Sequence, residues 1–115
     1  MRTLNDYFLT VKLSDVSTAG SAYVVAPDAG KIIKISSVLG GAIATADAEI
    51  TTEINGTAVT GGAITIANTS SAAGDVDSAV PTAANFVQEN DVIEIITDGA
   101  SANTIPVEFT IVIRR

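Results

Sequence analysis

The chain has 115 residues, which is long enough for one compact domain and too short for two ordinary ones. It contains no Cys, His or Trp, and its 13 acidic residues against 6 basic ones give a net charge of −7. Without Cys and His, the sequence excludes a Ser-His-Asp or Cys-His nucleophile, a disulfide framework and a tetrahedral zinc site. The negative charge argues against partners that are nucleic acids or anionic membrane surfaces.

The composition favours β-structure. Ile, Val and Thr account for 40 of the 115 residues, whereas Leu occurs only four times. Side chains that branch at Cβ suit a pleated, half-buried surface and lose rotamer freedom in a helix. An α-helical bundle is therefore excluded.

Strands with period-two alternation follow one another along the chain. The first, Asp6–Leu13, places Tyr7, Leu9 and Val11 on one face and Phe8 and Thr10 on the other. Residues 1–5 form a short N-terminal arm ahead of it, and residues 6–115 form the domain. Further strands are predicted over residues 21–26, 31–39, 48–54, 57–60, 63–67, 92–97 and 105–113.

Turn signals separate these strands. Asn55-Gly56 is the strongest, because a two-residue type I′ hairpin needs positive φ at both positions. Residues 68–85 are small and polar, and we expect a long irregular loop there. The best helical candidate, residues 82–88, is too short to change the fold class. Pro106 cannot donate to a ladder, so we expect its end of the last strand to lie at a sheet edge.

Seven to eight short strands without a crossover helix predict an all-β fold: a single-domain antiparallel β-sandwich of jelly-roll type. Because its large side chains are few, the core of such a domain is light, and association with other copies would add apolar burial. We expect Phe8, Phe86 and Phe109 to pack in the core or at such an interface.

Two pairs of carboxylates are candidate sites. Asp75 and Asp77 follow Gly74 with a spacing that suits Ca²⁺, although the further acids of a dedicated calcium loop are missing, and solvated loop acids are the simpler interpretation. Glu49 and Glu53 lie on one face of a predicted strand, and such a pair supports glycoside hydrolysis only across a concave site. We predict no catalytic residue, no metal and no cofactor.

Basic residues stand near strand ends. Lys31 and Lys34 bracket two isoleucines, and Arg114-Arg115 close the sequence. Such charges commonly protect edges and maintain solubility. The alternative is that they pair with acidic patches on a neighbouring copy or on another protein.

Several stretches resemble a family of small phage structural proteins that decorate, or cement, icosahedral heads. Most of the chain takes part in the resemblance, through TLNDYF at residues 3–8, STAGSAYV at 17–24, APDAGK at 26–31, AGDVDSAVPTAAN at 73–85 and IVIRR at 111–115. One departure is Asn90-Asp91 before the strand at residue 92, where a Gly-Asp turn is usual. Asn tolerates positive φ, so the turn is retained.

The resemblance implies a homotrimeric, non-catalytic virion protein that binds the major capsid protein on the outer surface of the capsid. Candidate capsid-binding residues are Arg2 and Leu4 in the arm, and Asp75, Asp77 and Asn85 in the long loop. The alternative is a tail or fibre module that binds a host-surface glycan or another virion protein, with Tyr7 or Tyr23 lining a cleft. An enzyme is the third hypothesis, and it depends on Glu49 and Glu53 sharing a concave site.

Overall fold

The computed structural model describes residues 5–115, which form ten β-strands and no helix. The strands are β1 (Asp6–Leu13), β2 (Gly20–Val25), β3 (Gly30–Leu39), β4 (Ala48–Ile54), β5 (Thr57–Ala58), β6 (Ile64–Ile66), β7 (Val76–Ala79), β8 (Phe86–Val87), β9 (Val92–Thr97) and β10 (Val107–Arg114). The predicted all-β class is confirmed. Within 5–115 there is no helix long and apolar enough to cross a membrane.

The strands form two antiparallel sheets. Sheet I has the order β1-β10-β3-β7, with β8 also paired to β3, and sheet II has the order β2-β9-β4-β5, with β6 also paired to β4. Because β5 with β6, and β7 with β8, each share one edge position, the sheets reduce to eight positions ordered 1-8-3-6 and 2-7-4-5. This is the strand order of a jelly roll. The predicted antiparallel sandwich is therefore confirmed, and its two split edge positions raise the strand number from the predicted seven or eight to ten.

Isoleucine dominates the core between the sheets. Sheet I contributes Ile32, Ile35, Ile111 and Ile113, and all four side chains are fully buried. Sheet II contributes Ile50, Ile64, Ile66, Ile93 and Ile95, which are at most 2% exposed. Phe109 is also fully buried in this core. The core was one of the two places predicted for the phenylalanines, the other being an interface.

The hairpin signal at Asn55-Gly56 is confirmed. Asn55 has φ 50° and Gly56 has φ 85°, and these residues connect β4 to β5. Both values lie in the left-handed region that a type I′ turn requires.

The long-loop prediction for residues 68–85 is wrong in part, because β7 lies within it. Val76 pairs with Val38, and Ala79 pairs with Ile35. The small residues around Val76 conceal a strand signal, and the hydrogen bonds of β3 supply the ladder that local propensity lacks.

The expectation for Pro106 is also wrong. β10 pairs with both β1 and β3 and is thus a central strand. Pro106 precedes its first residue, Val107, so the missing N–H falls outside the ladder, while the Pro106 carbonyl accepts a bond from Gly40 N at 2.9 Å.

Candidate interaction surfaces

The outward side of sheet I, which we call the sheet I face, is built from every second residue of its strands, except at a β-bulge that separates Lys31 and Lys34 by three positions. β1, β10, β3 and β7 are in register, so their outward residues form rows across the sheet. From one end to the other, the rows are Lys12–Glu108–Val38–Val76, Thr10–Thr110–Ser36–Ser78, Phe8–Val112–Lys34 and Asp6–Arg114–Lys31–Phe86.

Large apolar side chains are exposed on this face. Phe8 is 68% exposed, Val76 67% and Phe86 71%, and Val38 is exposed as well. Single exposed apolar residues are ordinary, but several on one sheet face indicate a protein-binding surface. Phe8 and Phe86 are thus outside the core, and their predicted place at an interface stays a prediction.

Val112 shows that the sheet I face has apolar packing of its own. Its side chain is 7% exposed, yet it does not belong to the cluster between the sheets. Its neighbours in the row are Phe8 and Lys34, and a β-bulge between Val112 and Ile113 adds Ile33 to β3 at the same place. The outward side chains therefore bury Val112 from outside.

Ion pairs connect β1 and the β2–β3 turn to the end of β10 at one end of the sheet I face. The Arg114 guanidinium donates two hydrogen bonds to the Asp6 carboxylate, at 2.9 and 3.1 Å, and this contact raises the pKa of Arg114. Arg115 donates to Asp28 at 3.2 Å and lies 5.7 Å from the centre of the Tyr7 ring. Lys31 lies 5.8 Å from the Phe86 ring, and a groove of about 470 Å³ opens beside these two residues.

The outward side of sheet II, the sheet II face, has the opposite charge. Glu49 and Glu53 on β4 and Glu94 on β9 project from it, and no strand of sheet II in the described range contains Lys or Arg. Ser21 donates to Glu94 at 2.6 Å, and Thr65 donates to Glu49 at 2.9 Å. The basic residues within 5–115 lie on β1, β3 and β10 or directly after β10: Lys12, Lys31, Lys34, Arg114 and Arg115.

Two glutamates face each other directly on the sheet II face. Glu53 is the cross-strand partner of Glu94, and Tyr23 of β2 pairs with Glu94 on its other side. Like charges directly opposite on neighbouring strands are destabilising. Tyr23 is 64% exposed and Val25 is 52% exposed, so apolar surface adjoins this acidic row.

The start of β1 and the predicted capsid-binding residues Asp75 and Asp77 lie at different ends of sheet I. Arg2 and Leu4 lie outside the described residues, but Asp6, which follows the arm closely, pairs with Arg114 at one end of β10. Val76, which is adjacent to both Asp75 and Asp77, pairs with Val38 beside Glu108. Six residues along β10 separate these two places, or about 20 Å at the rise of an antiparallel strand.

Asp75 and Asp77 occupy different environments. Asp75 is exposed, and its carboxylate accepts a hydrogen bond from Ala72 N at 2.9 Å. Asp77 is half-buried on β7 opposite Ser37. Within residues 5–115 no group of three or more Asp, Glu, His or Cys side chains could hold a metal ion.

Asn85 corrects the prediction that it is an exposed contact residue. It is 1% exposed, and its side-chain amide donates to the Ile32 carbonyl at 2.7 Å. Its own carbonyl accepts a bond from Ile32 N at 2.8 Å. Asn85 thus holds the loop before β8 against β3, and its side chain is closed to a partner.

The candidate residues of the two alternative functions, an enzyme and a glycan-binding module, do not line the cavities that the structure contains beside Lys12, Phe86 and Pro106. Glu49 and Glu53 are on an outward sheet face rather than across a cleft. Tyr7 is half-buried and donates its hydroxyl to the Asp28 carbonyl, and burial beside Asp28 raises its pKa. The cavities beside Lys12, Phe86 and Pro106 have no tyrosine in their walls.

No protein-family model matches the chain, and no curated protein matches it significantly.

Proposed function

We propose that this chain is a virion structural protein that binds the outer surface of a phage capsid as a decoration protein and stabilises it without catalysis. The observation that carries the proposal is the sheet I face, where four large apolar side chains, those of Phe8, Val38, Val76 and Phe86, are exposed on the strands of one sheet. Such a surface suits a part that is completed by neighbouring proteins. The sequence resemblance to head decoration proteins supports a phage capsid as the assembly to which this protein binds.

Self-association is part of this proposal. The domain exposes apolar residues on both of its faces, with Phe8 and Phe86 on sheet I and Tyr23 and Val25 on sheet II. A homotrimer would cover part of this surface and present several copies of each capsid contact. Weak contacts that act together bind far more tightly than one alone.

The capsid contact itself is proposed at the exposed ends of the molecule. Asp75 is exposed at one end of sheet I, and Arg2 and Leu4 precede Asp6, the first residue of β1, in the sequence. Asp77 lies on β7, close to Asp75. The major capsid protein would bind at these positions, and contacts between copies would cover part of the exposed apolar surface.

Co-sedimentation with phage heads that lack their decoration protein tests the proposal, using heads of the phage that encodes this chain. We expect saturable binding and heads that withstand heating or chelator better than bare heads. Asp75→Lys should weaken binding at least tenfold, whereas Glu89→Lys, the same charge change in the exposed β8–β9 loop, should not. Failure of the wild-type protein to bind overturns the decoration function.

One observation favours the alternative of a tail or fibre module. Tyr23 is 64% exposed beside Glu94 and Ser21, and an exposed ring with neighbouring hydrogen-bonding groups suits a sugar. A glycan array tests the glycan-binding form of this alternative: binding that Tyr23→Ser abolishes supports it, and an array without binding excludes glycan recognition.

A further inference from the structure

We propose that Asn55 is a site of spontaneous deamidation and that Asp91 controls how fast the reaction proceeds in the folded protein. The reaction is a covalent change of the chain itself. It needs neither a capsid nor a second copy of the chain, only water.

The Asn55-Gly56 turn has the features that deamidation requires. Asparagine is a thermolabile residue, because the backbone nitrogen that follows it can attack its side-chain carbonyl carbon. A glycine offers that nitrogen without a side chain beside it. Both residues are exposed, and around the place where a Cβ would stand on Gly56 no heavy atom beyond its chain neighbours lies within 4 Å. The turn is therefore sterically open to the attack and to water.

The other asparagines lack this arrangement. Each of them precedes a residue with a larger side chain, which hinders ring closure at the attacking nitrogen. These following residues are Asp6, Thr69, Phe86, Asp91 and Thr104. Asn55 is thus the asparagine at which we expect the reaction.

The reaction balances with water as the co-reactant. The Gly56 nitrogen bonds to the side-chain carbonyl carbon of Asn55 and loses its proton, the bond from that carbon to the amide nitrogen breaks, and ammonia leaves. Water then opens the cyclic imide. Opening at the side-chain carbon leaves aspartate at position 55, whereas opening at the main-chain carbon leaves isoaspartate, through which the main chain then runs.

The structure holds the Asn55 side chain away from this reaction. Its amide nitrogen donates to the Asp91 carboxylate at 2.9 Å, and its oxygen accepts from Val92 N at 2.9 Å. The backbone N–H of Asn55 also donates to the Val92 carbonyl, at 2.8 Å. Ring closure turns the side-chain carbon toward Gly56 and breaks the two side-chain bonds. Because the reaction proceeds only from that open geometry, its rate falls with the population of the open state.

The product cannot restore the contact with Asp91. A carboxylate, which only accepts hydrogen bonds, replaces the amide group that donated one. Two ionised carboxylates at hydrogen-bond distance repel each other. Deamidation of Asn55 therefore releases the β4–β5 hairpin from the loop before β9, and the added negative charge lets ion exchange separate the product.

Ageing of the purified protein at mildly alkaline pH, with and without guanidinium chloride, tests the proposal. Cleavage after Glu53 and Glu89 gives the fragment 54–89, in which mass spectrometry follows Asn55 beside Asn68 and Asn85 as internal references. We expect Asn55 to deamidate first in the denatured chain. In the folded chain it should react roughly tenfold or more slowly, because its side-chain hydrogen bonds must open first.

Variants of two turn carboxylates test the control by Asp91. Asp91→Ala removes the acceptor of the Asn55 amide and should accelerate the reaction in the folded protein roughly tenfold. Asp91→Asn keeps a neutral acceptor at that place and should give an intermediate rate. Asp98→Ala is the matched control with the wild-type rate, because Asp98 lies in the turn after β9 and accepts from Glu49 N and Ala100 N. Circular dichroism selects conditions in which every variant is folded.

Three results would overturn the proposal. If Asn55 stays intact in guanidinium chloride, it is not a deamidation site. If it reacts equally fast in the folded and denatured chains, the fold does not protect it. Equal rates for Asp91→Ala and Asp98→Ala would show that Asp91 is not the controlling residue. Binding to phage heads is measured separately, and its failure leaves these rates unchanged.

Discussion

The side chains of Asn55 and Asp91 join two turns that are far apart in sequence. The Asn55 amide donates to the Asp91 carboxylate at 2.9 Å, and the Asn55 side-chain oxygen accepts from Val92 N at 2.9 Å. The second Asp91 oxygen accepts from Gln88 N at 2.8 Å. The β4–β5 hairpin is thereby tied to the loop that begins β9.

This link predicts a pH dependence. Hydrogen bonds from Gln88 N and Asn55 hold the pKa of Asp91 below its ordinary value, and bonds from Ser17 do the same for Asp15. Groups whose pKa is lowered on folding stabilise the protein above their unfolded pKa, about 3.9, and lose that contribution as the pH falls through the folded pKa. The free energy of unfolding should therefore decrease below about pH 4. In urea titrations Asp91→Asn should flatten this decrease, and an unchanged pH profile would contradict the assignment.

Asn85 should matter for stability rather than for binding. Asn85→Ala leaves the buried Ile32 carbonyl without its side-chain donor, and a buried unsatisfied group costs about 1–3 kcal/mol. The half-buried Asn68 contacts the side chain of its neighbour Thr69, so Asn68→Ala is a suitable control with a smaller effect. Equal denaturation midpoints for the two variants would show that the Asn85 contact contributes little.

The three phenylalanines should separate into two classes. Phe109 is fully buried, so Phe109→Ala should lower the free energy of unfolding by about 3–5 kcal/mol. Phe8 is 68% exposed, and Phe8→Thr should cost less than about 1 kcal/mol because it removes only the outer cover of Val112. The same Phe8 change should weaken association between copies. Thermal unfolding and light scattering measure the two effects, and a Phe8 variant as unstable as the Phe109 variant would place Phe8 in the core.

The glutamate pair predicts a stabilising substitution. Glu53→Thr removes the repulsion with Glu94 and should raise the free energy of unfolding of the monomer by roughly 0.2–1 kcal/mol. Glu49→Thr on the same strand is the control, because Glu49 faces Thr65 and accepts its hydrogen bond. Unfolding is measured at a concentration where copies are dissociated. The gain for Glu53→Thr should shrink in ~1 M salt, which screens charges within about 3 Å; a gain independent of salt would point to strand propensity instead.

The period-two alternation in the sequence predicted the bounds of several strands correctly. The predicted bounds of β1, β4 and β9 agree with the structure at both ends, and the Asn55-Gly56 turn lies where the sequence places it. In each of these segments, local preference and burial act in the same direction. β7 was missed because its residues have little strand signal and pair only through β3, which is 37 or more residues earlier in the sequence.

The candidate surfaces were less predictable. Lys31, Lys34, Glu49 and Glu53 were recognised as candidates, but their segregation onto opposite faces follows from which strands join which sheet. The prediction of Asn85 as a surface contact failed because a polar side chain in a loop resembles an exposed one until the carbonyl that it binds is known.

The sequence by itself determined the all-β fold class, since its β-branched residues alternate in short strands. It also excluded catalytic sites that need Cys or His, because the chain contains neither. Only the tertiary structure decided which side of each strand is outward where both sides are apolar, as at Phe8 between Tyr7 and Leu9. The jelly-roll order also assembled the acidic and basic faces, because strands that are neighbours in a sheet are distant in the chain. Period two specifies that a strand has two faces, and packing between sheets selects the one that is buried.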